Sequence, residues 1–580
     1  MQAAATKFRV EVQGAPLPAE ADTVLLSAVV DDSLNLPDLF ILEFRDNHRD
    51  LLSKTGIGIG AAVRISVGSE AAPGASVLIH GEVTALETEY DKAGTRTVVR
   101  GFDASHRLLR GRMTRTWQNA TLSDVAVDVA RSAGLEIDKV DATTAVVDHV
   151  TQANISNWDF LRWLGREARR EVVVLNGKLQ FRESTESADG PKPGTLVAQD
   201  PLQLKLGENL RQFRAIITSA EQVEEVQARG WDVKRKAALV GTAAAKTTSA
   251  QLQVGPADLA RRFGAALTFV GVDTPFGVQQ EVDDAAIAMA DQIAGAFAEF
   301  DGVADGNPKL RAGAAVSLGS IGQPFEGKYV LTTTRHVYTP TTGYTTWFTV
   351  SGKQERSLLG LAAGSGTGVA SPGGPRIAGV VNALVTDVRD PERLGRVRLK
   401  FPWLSNDYVS DWSRVAQMGA GEKGRGSIVI PEVNDEVLVS FEQGDIRRPY
   451  VIGGLYNGVD PPRSDAIQEI IDPATGAVTA RHFFSRKGHQ LSFVDKDGSE
   501  GITLQTDDHK FTLRLSKSDQ VISIASDGKI EIKGTGDVSI ESSGSTSLKA
   551  AARLSLEAGA GISISGGPMV EITGGLIKLN

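Results

Sequence analysis

The chain has 580 residues, of which 41 % are hydrophobic and 23 % charged, a length that allows about three to five domains. Its 61 glycines and low aromatic content favour β-structure with many tight turns. The absence of Cys excludes disulfides and thiolate chemistry, and a net charge of −9 argues against a nucleic-acid partner, which needs a basic face. The sequence shows no apolar leader and no membrane-spanning stretch, so we expect no signal peptide.

The first segment, residues 7–115, alternates apolar and polar residues in short runs that Pro and Gly interrupt. This pattern predicts a β-rich domain over residues 1–115. At Thr121 the pattern changes, because Thr121 and Asp124 form a capping box and apolar residues then recur at helical spacing. We therefore predict a helix that begins after Thr121 and ends before Gly134.

A second helix is predicted over residues 157–170. One face carries Trp158, Leu161, Leu164 and Ala168, and the arginines of the GREARRE segment occupy the other faces. We expect this helix to pack on a core and to turn its basic side to solvent rather than to nucleic acid.

Residues 173–355 mix strand-like segments with two further predicted helices, near 256–270 and 283–300. The second of these helices has four apolar residues on one side: Ile287, Ile293, Ala294 and Phe297. The mixture predicts an α+β domain. The Gly- and Ser-rich segment 360–375 has no apolar periodicity, and we interpret it as a flexible linker.

Residues 376–457 contain short strand-like segments with Gly, Pro and Asp at the turns and no helical pattern. The segments are AGVVNALVTDV, GRVRLKF, WSRVAQ, GSIVIP, DEVLVSFEQ and PYVIGGLY. Their number and spacing predict a small closed barrel.

A repeat of eight residues runs from position 519 to 574 in seven blocks, from DQVISIAS to GPMVEITG. The fourth and sixth positions of each block are mostly large and apolar. Because alternate residues of a strand share a face, these positions point to one side. The predicted core residues are Ile522, Ile524, Ile530, Ile532, Val538, Ile540, Leu548, Leu554, Leu556, Ile562, Ile564, Val570 and Ile572.

The odd positions of the repeat are polar or small and face water, as Lys529, Glu531 and Lys533 illustrate. Each octad is therefore predicted to be one short strand plus one corner of a β-solenoid. If a triangular coil takes three octads, one chain has only about two and a third coils, too few to cover its own core. Three intertwined chains would instead form a continuous prism, ~33 Å long at ~4.7 Å per stacked strand.

The alternation breaks in the C-terminal segment GGLIKLN, where Lys578 takes an inward position. Apolar side chains and open strand edges at a blunt end need a cover, so we predict that a partner protein caps this tip; simple fraying is the alternative. The predicted cap-binding residues are Gly574, Gly575, Leu576, Ile577, Leu579 and Asn580.

The barrel segment resembles the OB domain of the valine-glycine-repeat spike proteins (VgrG), which are related to the hub and spike proteins of contractile phage tails. The matching residues run in order along the barrel: Asp390-Pro391, Leu394 to Val397, Phe401-Pro402-Trp403, Trp412, Arg414-Val415-Ala416, Pro431 to Val439, Phe441-Glu442, Gly444-Asp445 and Pro449 to Asn457. Residues Asn154 to Phe181 resemble the hub domain of the same proteins, so the resemblance covers nearly the whole chain.

The resemblance implies a mainly β multidomain fold with α+β hub domains, an OB-fold barrel and a trimeric, intertwined, triangular β-helix. The implied boundaries are 1–115 for an N-terminal hub domain, 116–359 for a second hub domain, 360–375 for the linker, 376–457 for the OB barrel, 458–518 for a connector and the start of the β-helix, and 519–580 for the needle with its tip.

The same resemblance implies the function of a homotrimeric spike that ends the inner tube of a contractile injection machine and pierces a target envelope. The implied partners are a PAAR-type tip protein, the tube and baseplate proteins, effector cargo and, transiently, the target membrane. The protein would be made in the bacterial cytoplasm and assembled into a phage-tail-like particle. Its length and its opening FRVEVQGAPL resemble spikes of extracellular contractile injection systems more than type VI secretion spikes.

No catalytic, metal-binding or cofactor-binding residue is predicted. The 8 His residues lack metal-ligand spacing, and GAGEKGRG lacks the Lys-Ser/Thr end of a phosphate loop. A type VI VgrG or a phage tail spike is the alternative within the same class. A β-helical polysaccharide-degrading enzyme is disfavoured because no aromatic residue follows Phe511, and an adhesin leaves the OB segment unexplained.

Overall fold

The computed structural model describes residues 6–69, 75–175, 177–264, 267–352 and 376–579. The chain forms two compact units, Met1–Asn457 and Gly458–Asn580, and each is described by itself. The predicted linker at 360–375 lies outside the described residues.

The first unit is dominated by one antiparallel sheet of eleven strands. In spatial order these are β14 (Leu210–Ile217), β19 (Ala298–Asp305), β23 (Gly343–Val350), β22 (Thr333–Thr339), β3 (Leu25–Ser33), β4 (Leu39–Arg45), β7 (Gly94–Asp103), β6 (Ser76–Asp91), β5 (Ala62–Ser69), β1 (Thr6–Val12) and β2 (Ala15–Pro16). Strand β3 pairs with β22, so residues from both predicted hub domains share this sheet. The predicted boundary at 115/116 therefore does not separate two sheets.

The sheet forms because its strands alternate apolar and polar residues, which buries one face. Phe40, Leu42 and Phe44 of β4 are fully buried in the N-terminal core. Gly81 and Gly101 lie against the Phe40 ring, and a Cβ at either glycine would overlap that ring. These two positions therefore require glycine for close packing.

Besides the large sheet and the barrel, the described strands of the first unit build four smaller sheets. They are β8 (Met113–Thr121) with β10 (Val146–Ile155); β11 (Glu171–Leu175), β12 (Lys178–Arg182) and β9 (Glu136–Val140); β13 (Gln203–Lys205), β20 (Ala315–Gly319), β21 (Gly327–Val330) and β17 (Ala250–Leu252); and β16 (Ala237–Ala244), β15 (Glu225–Asp232) and β18 (Thr268–Gly271).

The helices of the first unit are short, apart from three. They are α1 (Ala19–Thr23), α2 (Leu51–Thr55), α3 (Leu122–Ser132), α4 (Asn157–Ala168), α5 (Pro256–Ala260) and α6 (Gln279–Gly295), with 3₁₀ turns at Ala104–Leu109, Ser187–Asp189, Arg261–Phe263, Glu422–Gly424 and Glu442–Gly444. No helix in the described part of the chain is long and apolar enough to cross a membrane.

Helices α3 and α4 agree with their prediction. The Thr121 hydroxyl accepts a hydrogen bond from the Asp124 amide at 3.2 Å, which caps α3. Ser156 caps α4 in the same way through the amide of Asp159, at 3.1 Å. Trp158 and Leu164 of α4 are buried in the core that the two helices share.

Three predictions of local structure are wrong. The segment near 256–270 is not one helix, because α5 ends at Ala260 and β18 begins at Thr268. Helix α6 ends at Gly295, before Phe297, and Ile287 is exposed, because the smaller residues Ala286 and Ala290 supply much of the buried face. The barrel segment GSIVIP contains no strand; Ile428 is 82 % exposed there.

The barrel itself is present between residues 376 and 457. Its five strands, in spatial order, are β25 (Arg398–Lys400), β24 (Val380–Asp387), β27 (Glu436–Phe441), β28 (Pro449–Gly454) and β26 (Arg414–Val415). Bridges from Val397 to Ser413 and from Lys400 to Val409 close the sheet between its two edge strands. The prediction of a mainly β fold with a small closed barrel is therefore confirmed.

The second unit begins with helix α7 (Ser464–Ile470) and an antiparallel meander of five strands. The strands are β29 (Ala480–Phe484), β30 (Gln490–Val494), β31 (Gly501–Gln505), β32 (Phe511–Ser516) and β33 (Val521–Ser526). Strand β33 is the first octad, and the described residues 528–579 contain neither helix nor strand. In a single chain, only the first octad is therefore a strand.

Candidate functional site

The octad repeat places its thirteen predicted core residues in solvent. Their exposed fractions run from 51 % for Val570 to 77 % for Ile540. Ordinary surfaces carry apolar side chains singly, and a continuous stripe of this length marks a surface that another molecule covers. The structure of one chain thus leaves the whole predicted core without a cover.

After the first octad, the backbone of the repeat is equally unpaired. No backbone-to-backbone hydrogen bond joins any two of residues 528–579. Each residue of an extended chain carries one N–H and one C=O group that a folded protein pairs. The octads therefore present two ladders of free hydrogen-bonding groups together with an apolar stripe.

The odd positions of the repeat carry the charges. Lys529 and Lys533 both pair with Glu531, which lies between them on the same side of the chain, the second pair at 3.1 Å. The hydrogen bond from Lys529 lowers the pKa of the Glu531 carboxyl. This side is polar and, like the apolar side, exposed in the single chain.

The meander has one continuous apolar face. Its cross-strand pairs form two rows, Phe493–Ile502–Leu515–Ile522 and Phe483–Leu491–Leu504–Leu513–Ile524. Phe511 extends this face, and Leu491 is half-buried while the other nine side chains are exposed. We call these ten residues the meander face. Ile522 and Ile524 belong both to it and to the octad stripe, so the two surfaces are continuous.

The predicted tip residues are also exposed. Leu576 and Leu579 are 77 % and 89 % exposed, and Ile577 is 49 % exposed. A Cβ at Gly575 would contact nothing, and one at Gly574 would reach only neighbours within the tip itself. Asn580 lies outside the described residues.

In the barrel, the family-like residues Asp390 and Arg396 form a buried ion pair. Two carboxylate–guanidinium hydrogen bonds join them, at 2.7 and 3.1 Å, and the Leu394 amide donates to the same carboxylate at 2.8 Å. Arg396 above all, with the backbone amides, holds the pKa of the Asp390 carboxyl well below its usual range. The pair fixes the turn between β24 and β25.

The barrel is joined to the preceding part of the first unit by a polar cluster that we call the hub–OB joint. Arg447, in the turn before β28, donates to Asp445 at 2.7 Å and to Glu167 of α4 at 3.1 Å. Its guanidinium also lies over the Trp163 ring, 5.0 Å from the ring centroid. Burial raises the pKa of Glu167. Burial alone would lower the pKa of Arg447, but the neighbouring carboxylates of Glu167 and Asp445 outweigh this effect and raise it.

A second contact across this joint comes from β10. His149 Nε2 lies 3.1 Å from the Val409 carbonyl oxygen of the barrel. Ala153, also on β10, packs into the barrel core among Val397 and Phe401. The sequence resemblance marked Asp445 but gave no signal for Arg447, Glu167 or Ala153 as joint residues.

No group of three or more His, Asp or Glu side chains that could hold a metal ion occurs within the described ranges. A cleft of about 3620 Å³ in the first unit is lined by α4, α6 and the barrel, and its walls mix acidic and basic side chains. Among the lining residues, the Ser156 hydroxyl donates to the Asp159 carboxylate at 2.6 Å, and this pair caps α4.

The comparisons with known proteins identify the two parts of the first unit. Residues 3–339, more than half of the chain, match the family model described as the Alg8 N-terminal domain. Residues 381–456 match the model described as the type VI secretion system/phage-baseplate injector OB domain. The second match coincides with the closed barrel.

Two curated relatives are type VI secretion system spike proteins. VgrG3 of Vibrio cholerae is 38 % identical over 136 residues, 23 % of this chain and 13 % of the relative. VgrG4b of Pseudomonas aeruginosa is 34 % identical over 146 residues, 22 % of this chain and 18 % of the relative. The matched part of this chain thus spans less than a fifth of the length of either relative.

A solved Francisella PdpA–VgrG complex shares the fold, with a TM-score of 0.51 over 90 % of this chain and 80 % of that one, at 8 % identity. The sequence resemblance to VgrG-like proteins is confirmed by these matches. In this VgrG-like chain, the Alg8 N-terminal domain precedes an injector OB domain. Because the Alg8 N-terminal model matches more than half of the chain, the chain belongs to that family.

Proposed function

We propose that this protein is the central spike of a contractile injection machine, with a structural and not a catalytic role. The first unit serves as the hub at the end of an inner tube, and the octads of the second unit form a needle. Contraction of a sheath supplies the work, and the needle supplies the stiffness that opens a target envelope.

The observation that carries this proposal is the uncovered octad stripe. Thirteen apolar side chains lie on one face of the repeat, and after the first octad, over residues 528–579, the chain leaves its backbone without backbone-to-backbone hydrogen bonds of its own. Burying one such side chain contributes ~1.5–3 kcal/mol, and a lone chain forgoes that contribution at every level of the repeat. Copies of the same chain cover the stripe and pair the backbone at once.

The meander face supports the same arrangement. It continues the octad stripe through Ile522 and Ile524, so one set of partners covers both. Self-association places equivalent residues at the same level, where their apolar faces meet around a common axis. Three copies, each supplying one side, give a triangular prism with no open sheet edge.

The absence of Cys from the sequence allows a clean cross-linking test. Thr546 is an inward position of the repeat and Ser547 is the adjacent outward one. We expect Thr546→Cys in the full chain to be linked between copies by a short bismaleimide, and Ser547→Cys to react without linking. Equal linking at both positions, or none at either, would contradict an intertwined needle.

The tip and the partners belong to the same proposal. Leu576, Ile577 and Leu579 supply an apolar end that a PAAR-type cap protein covers, while the hub contacts tube and baseplate proteins. Effector cargo and a transient contact with the target membrane complete the set of partners. The protein is made in the bacterial cytoplasm and assembled into a phage-tail-like particle.

A second candidate within this class is a type VI secretion spike. VgrG3 and VgrG4b carry that description, and the OB-domain model names type VI secretion systems together with phage baseplates. The two candidates differ in where the assembled machine resides. Electron microscopy of particles released into the medium, probed with an antibody to this chain, separates them: labelled released particles favour the extracellular system.

A further inference from the structure

Four charged side chains that take no part in the hub–OB joint lie together in the interior of the first unit. Asp32 of β3, Asp38 of the β3–β4 turn and Asp103 at the end of β7 are each at least nine-tenths buried. Arg311, in the loop before β20, reaches in among them. We call these four residues the acid cluster.

The contacts of the acid cluster are specific. Arg311 donates from Nε to Asp32 at 2.5 Å, lies 3.6 Å from Asp38 through Nη2, and donates from Nη1 to the Leu78 carbonyl at 2.6 Å. The backbone amide of Asp103 donates to the Asp38 carbonyl at 2.9 Å. The cluster therefore ties the 306–314 loop to three elements of the N-terminal sheet.

The charges of the acid cluster do not balance. Three carboxylates face one guanidinium, so full ionisation would leave two uncompensated negative charges in the interior, which is costly. Asp103 receives the Ser105 hydroxyl on Oδ1 at 2.5 Å, while its Oδ2 has no hydrogen-bond partner in the described residues. A proton on this carboxyl removes one of the uncompensated charges.

The groups that surround the cluster do not supply the missing charge. His336 lies on β22, the strand that pairs with β3, and is close enough to interact with Arg311. Burial lowers the pKa of His336 to about 3, so its imidazole is neutral near pH 7. His106 and Arg107, in the turn that follows Asp103, pair instead with Glu82 of β6. The Arg182 guanidinium reaches the same loop at Gly313, and the amides of Ala312 and Ser33 donate to Asp32 and Asp38. Protons on the carboxyls compensate the negative charge that these groups leave.

We propose that the acid cluster is an acid-stabilised, alkali-sensitive lock that holds the 306–314 loop against the N-terminal sheet of the hub. At low pH the cluster retains its protons and the lock is closed. As the pH rises, the carboxyls ionise, repel one another and loosen the loop. The inference goes beyond the spike function, since it concerns when the hub is rigid.

The direction of the pH effect follows from linkage. Burial raises the pKa of Asp103 to about 7, and burial together with Asp32 and Asp103 raises that of Asp38. Both values lie above the ~3.9 of an unfolded Asp, so the folded state binds more protons than the unfolded state. Stability is fully present below pH ~4 and is lost as the pH rises through about 7.

Thermal unfolding of the full chain at pH 5.5, 7.0 and 8.5 tests the lock. We expect the melting temperature of the wild type to fall across this range. Asp103→Asn, which mimics the protonated acid, is expected to flatten the fall and to melt above the wild type at pH 8.5. Asp31→Asn, on β3 next to Asp32 but half-buried and paired with Arg335, and His106→Gln are the matched controls.

Hydrogen exchange on the wild type keeps the proposal testable if Asp103→Asn fails to fold. After correction for the intrinsic rate, protection of residues 306–314 should fall more than tenfold between pH 5.5 and 8.5. A melting temperature and a loop protection that do not change over this range would overturn the lock. So would an unchanged pH slope in folded Asp103→Asn.

Discussion

The hub–OB joint gives the sharpest test of how the barrel is fixed to the hub, through the substitution Arg447→Met. Methionine keeps an apolar stem over the Trp163 ring but removes the guanidinium that Asp445 and Glu167 share. Two neighbouring carboxylates then lose their counter-charge. We expect the joint to loosen while the barrel and α4 keep their own cores.

The magnitude follows from burial. Removing one partner of a buried ion pair costs ~3–5 kcal/mol, whereas an exposed pair contributes at most ~1 kcal/mol. The side chains of Arg447, Glu167 and Asp445 are 26 %, 31 % and 12 % exposed, so the value lies between these limits, at about 2–3 kcal/mol. Arg448→Met is the matched control, because its 3.4 Å pair with Glu281 is half exposed on the glutamate side.

Hydrogen–deuterium exchange on the full chain measures this loss where it occurs. A cost of about 2–3 kcal/mol corresponds to ~30- to 150-fold faster exchange in α4 and in residues 442–451, since ~1.4 kcal/mol is a factor of ten. Arg448→Met should change the same peptides less than about fivefold. Equal exchange in wild type and Arg447→Met would refute the reasoning that the joint depends on this guanidinium.

Three further predictions concern the needle, the tip and the barrel. Ile540→Asp should prevent stable trimers, because three unpaired carboxylates would meet around one axis at several kcal/mol each, while Ser539→Asp on the outward side should assemble normally; size-exclusion chromatography distinguishes them. Deleting residues 575–580 should leave the trimer intact and abolish pull-down of the cap protein. Asp390→Asn should destabilise the barrel by about 2–4 kcal/mol at pH 7 in urea unfolding. Because Arg396 lowers the pKa of Asp390 in the folded barrel, the stability that this ion pair contributes should be fully present above pH ~4 and should fall as the pH drops further. If Asp390→Asn has no effect on urea unfolding at pH 7, the ion pair does not have this role.

Much of the fold could be predicted from local sequence signals. The caps at Thr121 and Ser156 and the 3.6-residue spacing of apolar residues define α3 and α4, since both features act within a few residues. The barrel strands follow from alternation and turn residues. The octads follow from a strict period, which is the strongest signal that the chain contains.

The rest depends on contacts between distant residues. Strand β3 pairs with β22 about three hundred residues further along the chain, and no local pattern indicates that pairing. The segment GSIVIP has strand composition, yet it forms no strand, because its contacts with residues 417–420 are an isolated bridge at Gly426 and hydrogen bonds between Val429 and the Gln417 side chain. Arg447 gave no sequence signal, because its partners Glu167 and Trp163 belong to a helix that reads as a separate element. The meander face was likewise not predicted, because most of its residues lie in the interval 458–518, which the sequence analysis interpreted as a connector and the start of the β-helix.

The most direct test of the proposed spike is the solution mass of the purified full chain, measured by light scattering coupled to size exclusion. For the proposed trimer we expect a mass near three times 61.5 kDa, since three copies would together cover the octad stripe and the meander face. A folded, soluble species of 61.5 kDa that persists at micromolar concentration would contradict it. The octads would then have to close on themselves within one chain.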